Sequence, residues 1–111
     1  MSFGKDMEEY VAQSLRGRGA TCDVDTKMPG ATDVVAIWST GTSWRIQVKS
    51  TNRRDLSPPW PSSEEIRRLK IAATKNKQTA VVAWVFKDGT IEYRSAQNRK
   101  IIHPPDTRKR K

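Results

Sequence analysis

The chain has 111 residues, enough for one compact domain and too few for two. Lys and Arg number 21 against 12 Asp and Glu, and the net charge of +9 favours a polyanionic partner, nucleic acid first. A single cysteine, Cys22, excludes an internal disulfide framework and a cysteine-based zinc site and fits a reducing, cytoplasmic setting. No membrane span or signal peptide is expected, because no apolar run is long enough for either.

The first predicted element is a helix over 5–18, with Met7, Val11, Ala12 and Leu15 on one face and Gly17 and Gly19 at its end. A strand over 21–27 follows, with Cys22 and Val24 inward, then a turn at Met28-Pro29-Gly30. The next strand, 32–38, is apolar throughout Val34-Val35-Ala36-Ile37-Trp38, which implies burial on both faces. A turn at Gly41 leads into a third strand over 44–49. Residues 50–61 read as a loop holding Arg53, Arg54 and Trp60. Ser62 or Ser63 followed by Glu64-Glu65 caps a second helix running to about 75, with Ile66, Leu69, Ala72 and Ala73 apolar. A strongly apolar strand over 78–86, a turn at Asp88-Gly89 and a short strand over 91–94 complete the pattern. The order α-β-β-β-α-β-β implies a mixed sheet of about five strands flanked by helices, in one domain spanning 1–102. Residues 103–111 read as a basic, disordered tail that adds sequence-independent phosphate affinity or is simply solvated.

Most catalytic chemistries find no footing. His103, the lone histidine, precedes Pro-Pro in the tail, the serines have no histidine partner, and the glycines match no nucleotide-binding fingerprint. Carboxylates, amides and lysines remain. Period-two alternation puts Gln47 and Lys49 on one face of the third strand and Ile46 and Val48 on the other. Folding the hairpin about Thr40–Gly41 brings Asp33 near Gln47 and Lys49, on their face, unless a one-residue bulge intervenes. A carboxylate, an amide oxygen and an ammonium then converge; an ordinary ion pair at a sheet edge has the same pattern.

Asp33…Gln47-Val48-Lys49 resembles the PD-(D/E)XK nuclease signature, with Gln at the middle acidic position. The opening Gly4-Lys5-Asp6-Met7-Glu8, the closing Leu15…Gly19 and the later helix and strand resemble the layout of archaeal-type Holliday junction resolvases, over roughly residues 3–95. That resemblance implies a restriction-endonuclease-like α/β core and places the family's helix-one acid on Glu8. A helical wheel agrees, setting Glu8 beside Val11, Ala12 and Leu15 and Glu9 towards solvent with Gln13 and Arg16. The alternative for Glu8 is a charge favourable to the helix dipole.

The resemblance implies a metal-dependent endonuclease that resolves four-way DNA junctions by paired nicks. Asp33 would be the principal ligand of Mg²⁺, or of Mn²⁺, with Glu8, the Gln47 side-chain oxygen and the Val48 carbonyl completing the protein's donors. Lys49 would orient or activate the attacking water. Lys5, Lys27, Arg53 and Arg54 would contact phosphates. Trp60 would wedge into branched DNA or pack beneath its loop. Paired cuts on a twofold substrate imply a homodimer, for which strand 80–86 and the second helix are candidate surfaces. Two further readings stand beside this one: a restriction- or repair-type endonuclease on linear DNA, and a non-catalytic basic DNA-binding module.

Overall fold

The computed structural model describes residues 3–28, 31–51 and 57–108, with side chains outside 3–6, 25–28 and 31–32. Its elements are α1 (Phe3–Arg16), β1 (Thr21–Met28), β2 (Ala31–Ile37), β3 (Ser43–Ser50), α2 (Ser63–Lys75), β4 (Thr79–Val85), β5 (Ile91–Ser95) and β6 (Ile101–Ile102). The six strands lie side by side in sequence order. Neighbours are antiparallel except β3 and β4, whose parallel pairing is made by the crossover through α2. The α/β class and element order are therefore as the sequence implies. The added strand is β6, two residues long and too short to leave a periodic signal.

Alternation along the central strands separates two packed layers. Val81, Ala83 and Val85 of β4 join Val34, Ala36, Ile46 and Val48 beneath Val11, Ala12 and Leu15 of α1. Ala80, Val82 and Trp84 face the opposite way, against Leu69 and Ile66 of α2 and against Trp60. Val11, Leu15, Val34, Ile46 and Val81 are fully enclosed. Each such side chain contributes roughly 1.5–3 kcal/mol over its exposed state.

Two expectations need correcting. The apolar run of β2 is not buried on both faces: Val34, Ala36 and Trp38 are enclosed, whereas Ile37 is 49% exposed. Among the described residues α2 packs chiefly over β3 and β4, so the far face of β2 is only partly covered. The run in β4 is sandwiched between the helices and paired on both edges. For the same reason β4 offers no free surface to a second copy. Trp38 and Trp44 are core residues, stacked edge to face with ring centres 5.3 Å apart.

Helix α2 begins in a capping box. The Ser62 hydroxyl accepts from the Glu65 amide, and the Glu65 carboxylate accepts from the Ser62 amide. The turn after α1 closes at Gly19, whose φ of +99° belongs to the left-handed region. There the Ala20 amide donates to the Leu15 carbonyl at 3.1 Å. Beyond β6 the chain returns to this corner, and the Thr107 amide donates to the Arg18 carbonyl at 2.9 Å. A Cβ on Gly19 would collide with the Thr107 hydroxyl. Gly19→Ala is therefore expected to lose about 1–2 kcal/mol of stability, from left-handed strain plus that collision, measured by urea unfolding.

Candidate active site

The β2–β3 ladder sets the geometry. It runs from Ile37 opposite Ser43 to Val34 opposite Ile46 across a turn at 38–42, where Gly41 has a φ of +97°. One residue further along each strand come Asp33 and Gln47. On the other edge of β2, the pairing with β1 changes register between Asp25, opposite Asp33, and Met28. Asp33 thus lies beside an irregularity in the sheet, of the kind that re-aims side chains at strand ends. The irregularity is on the β1 side, so the parity that places Asp33 with Gln47 and Lys49 is kept.

That shared face is the α2 side of the sheet. Gln47 and Lys49 stand beside Val82 and Trp84 of β4 in the parallel register. Both are partly buried, while Val48 between them packs into the α1 layer. Lys49 Nζ donates to Glu65 Oε2 at 2.8 Å, joining β3 to the first turn of α2. Burial raises the Glu65 carboxyl, but hydrogen bonds from Lys49 and Ser62 outweigh it and hold the group below the usual carboxylate range.

Arg45 lies two residues before Gln47 on the same face and is 9% exposed. Its Nη1 donates to Asp33 Oδ2 at 3.1 Å and its Nε to Gln78 Oε1 at 2.9 Å. Asp33 is thereby held by a guanidinium that is itself fixed from the start of β4. Helix α1 brings Glu8 to the same region. Partial burial, and then the negative charge of Asp33, push its carboxyl from the ordinary 4.5 up to about 7. Glu9 points away: it accepts from Arg16 at 2.8 Å and from Gln13 at 3.0 Å on the exposed side of α1. Of the two neighbouring acids, Glu8 is the one whose carboxyl feels the charge of Asp33.

The donors that could hold a divalent cation are all oxygens: the Glu8 and Asp33 carboxylates, the Gln47 amide oxygen and the Val48 carbonyl. Two carboxylates that resist joint ionisation suit a hard cation, whose charge would relieve them. Among the described residues no three His, Cys, Asp or Glu side chains form a metal-holding group.

Of the expected phosphate contacts, Arg53 and Arg54 lie outside the described residues, as do the side chains of Lys5 and Lys27. Trp60 packs edge to face on Trp84 at 6.0 Å, with the Arg99 guanidinium 4.7 Å above its ring. A cleft of about 360 Å³ opens between Met7 and Tyr10 of α1, Thr51 beyond β3 and the turn at Phe86–Gly89. Tyr10 closes one side by donating to the Gly89 carbonyl at 2.6 Å. Sequence reasoning missed Arg45, Gln78 and Glu65. The alternation that selected Gln47 and Lys49 also marks Arg45, whereas the reach of Glu65 to Lys49 needs the crossover geometry.

No protein-family profile and no curated protein matches the chain. Among solved structures, the chain is similar to Hjc from Archaeoglobus fulgidus, a Holliday junction resolvase of an archaeal hyperthermophile. The TM-score is 0.73 at 24% identity, over 86% of this chain and 75% of that one. The likeness establishes that the fold is the one found in that resolvase.

Two outcomes follow from the electrostatics. Arg45→Met should cost about 2–3 kcal/mol in chemical unfolding, because it strips Asp33 and Gln78 of a charged donor. For Glu8, the unfolded chain loses its proton near 4.5 and the folded chain near 7. Its contribution to stability is therefore full below about pH 4.5 and declines as pH rises to about 7. Glu8→Gln should remove that part of the slope and be more stable than wild type at neutral pH, in unfolding curves recorded across this range.

Proposed function

We propose that the chain is a metal-dependent endonuclease that cuts four-way DNA junctions by paired, symmetric nicks, acting as a homodimer with one site per subunit. The observation that supports this most is the gathering of Asp33, Gln47 and Lys49 on one face of β2 and β3, with Glu8 in electrostatic reach of Asp33, in a fold shared with a junction resolvase.

The residues have distinct tasks in this reading. Glu8, Asp33, Gln47 Oε1 and the Val48 carbonyl would hold Mg²⁺, or Mn²⁺ given the neutral Gln47. When bound, the cation supplies charge neutralisation at the phosphate and lowers the pKa of a water. Arg45 keeps the Asp33 carboxylate in one orientation. Lys49 Nζ, an ammonium, donates hydrogen bonds and so orients the attacking water and offsets charge on a non-bridging phosphate oxygen. Lys5, Lys27, Arg53 and Arg54 are the proposed phosphate contacts. The net charge of +9 makes binding tight at low salt whatever the substrate.

The decisive assay presents a labelled four-way junction and the matching linear duplex, each with Mg²⁺ or Mn²⁺, to wild type and to Asp33→Ala. Paired nicks in the junction alone are expected. Asp33→Ala should cut at least about a hundredfold more slowly while still binding, since phosphate contacts lie elsewhere. Cleavage of the duplex as well would favour a restriction- or repair-type enzyme. A junction bound and never cut with either metal would make the chain a DNA-binding module.

A further inference from the structure

The lysine of the proposed site is held from outside the strand that carries it. A lysine has four rotatable side-chain bonds, and an exposed one samples many rotamers. Here its partner, Glu65, is itself immobilised. Glu65 is the third residue of α2, and its backbone amide donates to Ser62 Oγ at 3.1 Å. Its Oε1 accepts from the Ser62 amide at 2.9 Å. Two of its groups are thus spent on the helix start, which leaves Oε2 aimed at Lys49 Nζ, 2.8 Å away. The side chains of Lys49 and Glu65 are 25% and 34% exposed, so the pair is partly sheltered. An acid at position 47 would stand on the same face of β3 as Lys49, but Gln47 is neutral. The anionic partner comes instead from α2.

We propose that Glu65 is a positioning residue of the active site: through the capping box of α2 it fixes the Lys49 ammonium at the orientation in which Lys49 serves the attacking water and the phosphate. This rests on the nuclease reading above. The cap does two jobs, since one pair of hydrogen bonds starts the helix and sets the rotamer of the carboxylate that reaches across to β3.

Glu65→Gln separates the two. Glutamine keeps an oxygen for the Ser62 amide, so the cap survives, but the charge facing Lys49 is gone. Single-turnover cleavage of the four-way junction at saturating protein should slow about 10- to 100-fold. The melting temperature should fall by no more than a few degrees, while the junction dissociation constant and the metal concentration for half-maximal rate should stay at wild-type values. Glu64→Gln removes the same charge from the same helix turn, where Glu64 faces Arg67 and Arg68, and should cut at the wild-type rate. Three results would overturn the proposal. Wild-type cleavage by Glu65→Gln, beside an inactive Asp33→Ala, leaves the nuclease reading standing and removes Glu65 from it. Recovery of Glu65→Gln at higher metal concentration makes Glu65 a metal ligand instead. No cleavage by the wild type itself ends both readings together.

Discussion

Strand β3 must serve a core and a polar face at once, and it can because successive side chains leave a strand on opposite faces. Trp44, Ile46 and Val48 go under α1, where they are enclosed. Arg45, Gln47 and Lys49 go to the other side, where each remains within reach of polar partners or solvent. The parallel neighbour β4 extends the same division, with Val81 and Ala83 continuing the first layer and Val82 and Trp84 the second. Rigidity comes from the enclosed half of the strand, and the other half carries its polar side chains.

The polar half is organised as two ion pairs on either side of Gln47. Asp33 is held by Arg45, and Lys49 by Glu65. Each pair joins β3 to a different element, β2 on one side and α2 on the other. Both are partly sheltered, so they are screened less than the exposed pairs on α2. Glu8, from α1, has its carboxyl pushed upward by burial and by Asp33.

Much of this was legible in the sequence because it depends on local period. The 3.6-residue spacing of Val11, Ala12 and Leu15 separates Glu8 from Glu9, and the two-residue spacing of β3 separates Lys49 from Val48. The turn at Gly41 set a register close enough to place Asp33 with Gln47. What escaped depends on coverage and on contacts between distant elements. An apolar run looks the same whether one face or both are covered, so β2 was read as buried on both faces although α2 packs chiefly over β3 and β4. Ser62 and Glu65 announced a helix start, but nothing local says that the free oxygen of that cap meets a lysine sixteen residues earlier, at 2.8 Å. Arg45 carried the right parity but belongs to no short motif.

The turn joining β2 to β3 has a consequence for how such a chain can change. A Cβ added at Gly41 would meet nothing within 4 Å, so the turn's surroundings leave room for altered side chains. Its length is another matter. Gaining or losing one residue between Asp33 and Gln47 would rotate one strand's side chains to the opposite face, sending Ile46 and Val48 outward and Arg45, Gln47 and Lys49 into the α1 layer. A change of two residues would preserve the faces. Insertions and deletions in this hairpin are therefore filtered by whether they are odd or even, while the turn's composition is free to drift within the limits of its left-handed residue.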